Sequence, residues 1–176
     1  MILLKSTGVI RRIDELGRIV LPKEIRRNLG IREGENLEIF VEEDKVILKK
    51  YSKIKDYKEI INNICNLITS VYEVNLIVTD RDKVVFANTF SGVEGTDLDT
   101  KLIHFIHNRE SVLKNQMQSY KFNGEEKSGY YFIQPIISST DCLGLIVLFS
   151  EKPIGEENIN LLKFVSNLIV SKVDIS

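Results

Sequence analysis

Gly8-Val9-Ile10-Arg11-Arg12-Ile13-Asp14-Glu15-Leu16-Gly17-Arg18-Ile19-Val20-Leu21-Pro22-Lys23-Glu24-Ile25-Arg26-Arg27 decides how the amino-terminal part of this 176-residue chain is built. Two runs rich in Val and Ile, 8–14 and 17–21, read as short strands, with Leu16-Gly17 as the turn between them. Pro22 suits the first position of a helix, where its missing N–H would be unpaired anyway. Ile25 and Leu29 share one face of that helix, and Gly30 is a natural stop. Glu33-Gly34-Glu35 then turns the chain into a strand over 36–42, where Leu37, Ile39 and Val41 alternate with their neighbours. Glu43-Asp44 reverses it into a last strand over 45–50.

Short strands and about two helical turns bury too little apolar surface to stand alone. Their open edges also invite pairing with a second chain. Intertwining two copies meets both needs, so a homodimer is expected from the sequence.

Charge is distributed unevenly over the same stretch. Between Lys5 and Arg27 seven basic residues (Lys5, Arg11, Arg12, Arg18, Lys23, Arg26, Arg27) face three acids (Asp14, Glu15, Glu24). From Arg32 to Asp44 the sign reverses, with Glu33, Glu35, Glu38, Glu42, Glu43 and Asp44 against Arg32 alone. The chain as a whole carries a formal net charge of −1, so any affinity for a polyanion has to come from this local basic face. A solvated charged surface is the ordinary meaning of such a run. A second helix, as helix-turn-helix recognition would require, is missing from the basic stretch.

The stretch from Lys5 to Arg27, continued by Leu37-Glu38-Ile39-Phe40-Val41 and Ile47-Leu48-Lys49-Lys50-Tyr51, is similar to the AbrB-type swapped-hairpin (AbrB/MazE-like) DNA-binding domain. With a second domain attached, the whole chain resembles the AbrB-like sporulation regulators that carry a C-terminal GAF-like domain. The resemblance implies an interleaved homodimer that contacts double-stranded DNA through arginines. The matching positions are Arg11, Arg18, Arg26 and Arg27, with Lys5 and Arg12 in support. Guanidinium chemistry suits the role independently, because its planar fork binds phosphate bidentately and reaches the O6 and N7 edge of guanine.

The expected class is α+β, with a DNA-binding and dimerisation domain at 1–52, a short junction at 53–56 and a GAF-like domain at 57–176. The junction lacks the Gly or Pro content of a long flexible linker. A helix over 56–72 carries Ile60, Ile61, Ile64, Leu67, Ile68 and Val71 at helical spacing. Strands at 75–80 and 83–88 flank the polar turn Arg81-Asp82. A helix over 97–108, a polar stretch, strands at 130–138 and 142–150, and a helix over 156–173 complete the order. The last helix places Leu161, Leu162, Val165, Leu168 and Ile169 on one face. Terminal helices of this kind either cover their own sheet or pair with another subunit, and pairing would join two dimers into a homotetramer.

Two roles stay open for the second domain: sensing a small molecule, or oligomerisation alone. Phe86, Thr89, Ser91, Tyr131 and Gln134 are the candidate lining of an interior pocket. The residue pattern of cyclic-nucleotide-binding GAF domains is absent. His104 and His107 stand at i and i+3 without a third ligand at suitable spacing, so no metal is expected. Asp80 and Asp82 bracket a turn, a place aspartate favours for its local hydrogen bonds.

Cys65 and Cys142 have no CxxC partner, which argues against a disulfide framework or structural zinc and for a reducing compartment. No secretory signal is apparent, and the longest apolar run, 143–149, is far shorter than the ~20 residues that span a bilayer. A cytoplasmic protein without a membrane partner is expected. Nucleophile-elbow, P-loop, dinucleotide-binding and zincin motifs are all missing, so neither catalysis nor a cofactor is expected. The function that fits is transcription regulation, both activating and repressing, of sporulation genes. The rivals are an antitoxin-like partner protein and a low-specificity architectural DNA-binding protein.

Overall fold

The computed structural model describes residues 6–174, and the chain divides into two compact units, Met1–Tyr51 and Ser52–Ser176.

In the first unit, α1 (Lys23–Asn28) is followed by β1 (Leu37–Glu42) and β2 (Lys45–Lys50), an antiparallel hairpin in which Leu37 faces Lys50 and Glu42 faces Lys45. Pro22 stands just outside the helix as its N-cap and accepts the first helical bond, Arg26 N–H to Pro22 O at 3.0 Å. At the other end Gly30 (φ 62°) lets the chain turn back. Its N–H donates to Arg27 O at 3.2 Å, and Ile31 N–H donates to Arg26 O at 2.7 Å. This pair of reversed bonds satisfies carbonyls the helix would otherwise leave open.

Residues 8–14 and 17–21, expected as strands, carry no strand ladder. The physical reason is that a ladder needs a neighbour, and within one chain β1 and β2 pair only with each other. What remains is the turn, where Asp14 N–H donates to Arg18 O at 3.1 Å.

The second unit begins with α2 (Lys53–Asp56) and α3 (Lys58–Tyr72), then β3 (Asn75–Thr79), β4 (Val84–Ala87) and α4 (Thr100–Asn108). It continues with β5 (Val112–Phe122), β6 (Glu125–Ser138), β7 (Asp141–Ser150) and α5 (Glu156–Val173). The five strands form one antiparallel sheet in the order β4-β3-β7-β6-β5. Both faces of this sheet are covered. Leu76, Val78, Phe132, Ile136, Ile146 and Leu148 pack with Ile61, Cys65 and Ile68 of α3 and with Leu162, Val165 and Ile169 of α5. The alternate residues Ile77, Tyr131, Ile133, Leu145, Val147 and Phe149 pack with Leu102 and Ile106 of α4. The uninterrupted apolar run of β7 is thus explained by a central strand buried on both sides. Gly144 is required there, because a Cβ would lie 1.9 Å from the Thr79 carbonyl oxygen on β3.

Three elements differ from expectation, the first being α2, which occupies the expected junction 53–56 and buries Ile54. β5 lies in what reads as a polar stretch, and β6 starts five residues earlier than 130. β5 is an edge strand, buried only at Tyr120 and Phe122, so its sequence lacks an apolar run. α3 also divides its apolar residues: Ile61, Cys65 and Ile68 enter the core of its own unit, whereas Ile60, Leu67 and Val71 stay exposed.

Candidate nucleic-acid interface

The first unit has almost no interior. Among the described residues Pro22 is the one residue of this unit that is buried, and Ile10, Leu16 and Val41 are 87%, 75% and 77% exposed. Val9, Ile13, Ile19, Val20, Ile39, Phe40, Val46 and Ile47 are exposed too. Isolated exposed apolar residues need no explanation, but this many in one small unit mark a surface built to be covered.

The basic residues stand among them. Arg11, Arg12, Arg18 and Arg27 are exposed and Arg26 is half-buried, while Lys5 lies outside the described residues. Arg11 and Arg12 occupy the extended segment, and Arg11 Nη1 donates to Ile10 O at 2.9 Å. Arg26 and Arg27 occupy the last turn of α1, where positive charge meets the negative end of the helix dipole.

Arg18 is held by a side chain that the sequence did not single out. Asp14 Oδ1 accepts the backbone N–H groups of Leu16 (3.0 Å) and Arg18 (2.8 Å), and its Oδ2 accepts from Arg18 Nε at 2.7 Å. The Arg18 backbone and guanidinium hold the Asp14 carboxyl below the usual carboxylate range. Asp14 therefore builds the turn and aims Arg18, with Gly17 (φ 75°) providing the left-handed residue that the turn needs. The legible signal was an aspartate three residues before a glycine.

Chemically the unit offers four exposed guanidinium groups and a fifth beside them on extended backbone and one helix end, with acids confined largely to 33–44. Such a face binds phosphate oxygens and reads base edges.

The five residues expected to line a pocket in the second unit are not brought together. Phe86 belongs to the core layer under α3 and α5, whereas Tyr131 belongs to the opposite layer under α4. Tyr131 is fully buried and its hydroxyl donates to Lys127 O at 2.7 Å. Ser91 is exposed, Thr89 is half-buried, and Gln134 accepts from Ser111 Oγ at 2.7 Å. The sheet separates the two aromatic residues, and packed side chains fill the space that a shared cavity would need.

Asp80 is structural: it accepts from Asp82 N at 2.8 Å, Lys83 N at 2.7 Å and Ser52 Oγ at 3.1 Å. His104 Nε2 lies 2.9 Å from Asn108 Nδ2. Among the described residues no cluster of three or more His, Cys, Asp or Glu is placed to hold a metal, and no helix is long and apolar enough to cross a membrane.

Residues 55–173 match the family described as stage V sporulation protein T C-terminal, transcription factor. Residues 10–56 match the family described as antidote-toxin recognition MazE, bacterial antitoxin. The chain is 37% identical over 159 residues to stage V sporulation protein T of Bacillus subtilis (strain 168), covering 87% of this chain and 89% of that protein. It is 60% identical over 48 residues to the transition state regulatory protein AbrB of the same organism, covering 27% of this chain and 50% of that one. A solved structure of a methyl-accepting chemotaxis protein, residues 122 to 287, shares the fold over 68% of this chain and 92% of its own, with 14% identity and a TM-score of 0.52. The match over 55–173 and the identity running through most of both lengths place the chain in the stage V sporulation protein T family.

Proposed function

We propose that the chain is a cytoplasmic, non-catalytic transcription regulator of sporulation genes that binds double-stranded DNA through a dimer of its amino-terminal domain, residues 1–52. The observation that carries this reading is the pairing of exposed arginines with an uncovered apolar surface in the same small unit. A second copy that supplies strand partners for 8–21 covers that surface and doubles the cationic face about a two-fold axis. Arg11, Arg18, Arg26 and Arg27 then touch DNA, with Lys5 and Arg12 in support. Phosphate contacts provide most of the affinity, and a few arginine–base contacts with DNA flexibility provide selectivity. Activation at some promoters and repression at others follows from where the dimer binds relative to the polymerase.

The GAF-like domain, residues 57–176, joins two such dimers into a tetramer. Ile60, Leu67 and Val71, with the half-buried Ile64 between them, follow i, i+4, i+7 and i+11 along the outer side of α3, the seam spacing of paired helices. Phe164 of α5 is likewise exposed.

Genome-wide mapping of the sites bound by the wild type and by Arg18→Ala tests the assignment. Localised binding near sporulation genes that disappears in the variant supports it, and an unchanged map overturns it. Comparing a bound promoter fragment with scrambled DNA at equal salt separates a specific regulator from an architectural coat. The antitoxin-like reading has less support, because a folded unit stands where a flexible toxin-binding tail would be.

A further inference from the structure

A groove of about 430 Å³ runs between α4 and the edge strand β5, lined by Thr100, Lys101, His104, Phe105, Lys114, Gln118 and Tyr120. It lies outside the packed layer beneath α4 and shares only Tyr120 with that layer's buried residues. Its size is within the range of small-molecule sites.

Two features of the lining are unspent. The Lys114 ammonium makes no ion pair or hydrogen bond among the described residues. Its strand departs from regular pairing between Lys114 and Gln118, where 115–117 stand opposite Tyr130 alone. Tyr120 lines the groove and is 3% exposed, and its hydroxyl has no hydrogen-bond partner among the described residues. A phenol at the wall of a groove, without an acceptor in the protein, can donate to a guest bound there. Burial, then the nearby Asp99 charge, pushes the Tyr120 phenol up, so it keeps its proton and donates.

The remaining groups fix the character of the guest. Lys101 Nζ is held across the groove, 3.3 Å from Ser119 O and 6.0 Å from the Tyr120 ring centroid. Phe105 meets Tyr120 edge to face at 6.4 Å, giving an aromatic wall. No acid lines the groove. Asp99 stands near but is engaged by the N–H groups of Lys101 and Lys121 at 2.9 and 2.8 Å.

We infer that this groove binds a small organic anion consisting of a planar ring and a phosphate or carboxylate group, with the anion between Lys101 and Lys114, the ring against Phe105, and the Tyr120 hydroxyl as a donor. The inference does not depend on DNA binding, because all of its residues lie in the second unit.

Phenyl phosphate is the probe, with inorganic phosphate and phenol as the charge-only and ring-only controls, titrated into the full chain and followed by saturation-transfer NMR or calorimetry. Phenyl phosphate is expected to bind saturably in the millimolar range and more tightly than either control. Lys114→Ala should weaken it by about tenfold, the effect of losing one charge-assisted contact, and Lys114→Arg should retain it. Lys114 is half-buried on an edge strand, so both variants should fold, and circular dichroism checks that they do. Absence of saturable binding, or equal affinity in wild type and Lys114→Ala, overturns the assignment. Phosphate binding as tightly as phenyl phosphate overturns the aromatic part of it.

Discussion

Asp14 and Arg18 are one pair of side chains that joins the turn to the proposed interface. The carboxyl's folded pKa is depressed, so its contribution to the turn is present above the unfolded pKa of ~3.9 and is lost as pH falls through the lower folded value. Carboxyl chemical shifts followed on acidification should therefore show Asp14 titrating below a free aspartate, and Arg18→Ala should move it back toward the ordinary value. Asp14→Asn retains an Oδ1 acceptor for the Leu16 and Arg18 N–H groups but removes a negative charge beside a guanidinium proposed to touch DNA. Its affinity for duplex DNA should equal or exceed that of wild type by no more than about fivefold, because an exposed, solvent-screened ion pair is weak. Weaker binding in the Asn variant would mean that Asp14 holds Arg18 in its productive pose through charge. The two cysteines make a simpler case. Burial pushes the Cys65 thiol up to about 12 and raises Cys142 too. Neither should react with a thiol reagent at neutral pH in the native protein, and both should react once the second unit is unfolded in denaturant.

At the scale of elements, α3 has one side in the core of its own unit and one side exposed, which the proposed tetramer would use. Ile61 is 1% exposed in the core of its own unit, so Ile61→Ala should cost about 2–5 kcal/mol of that unit's stability in denaturant melts. Leu67 is 67% exposed on the other side of the helix. Leu67→Glu should leave the melt nearly unchanged while sedimentation velocity shifts from tetramer to dimer, and a tetramer that survives the change removes α3 from the assembly surface. The sequence already carried the helical period of α3 and α5 and the buried run of β7, because each has a strong periodic or continuous apolar signal. It did not carry β5, whose residues are mostly those of a solvated edge. Nor did it carry the side of the sheet on which an aromatic residue falls. Phe86 and Tyr131 both read as inner residues, yet strand register, including an irregularity between Val78 and Thr79, sends them to opposite layers. The arginines stand out in the sequence because they belong to a local pattern. Asp14 was passed over, since a turn aspartate is common and only the fold shows its second oxygen on Arg18.

For the whole molecule, the first unit's missing interior and its charge imply the same linkage between folding, assembly and DNA. A unit without a buried apolar core gains its stability from the copy that covers it, so its unfolding should depend on protein concentration in a way that the second unit's does not. DNA binding then draws on the doubled basic face rather than on the chain's net charge of −1. If each dimer neutralises ~6 phosphates, log K should fall against log salt with a slope of about −5. Lys5 to Arg27 contributes seven basic residues per chain, so each dimer has more than enough cations for that number of contacts even after Arg18 and Asp14 pair. Replacing Arg11 and Arg27 with Ala removes four of those charges from a dimer and should flatten the slope to about −1 to −2, with little change in the melting of the second unit. Fluorescence anisotropy on a labelled duplex between ~50 and ~200 mM salt reads the slope directly. A slope near zero in the wild type, or one that the double variant leaves unchanged, would place the contacts with DNA somewhere other than this cationic face.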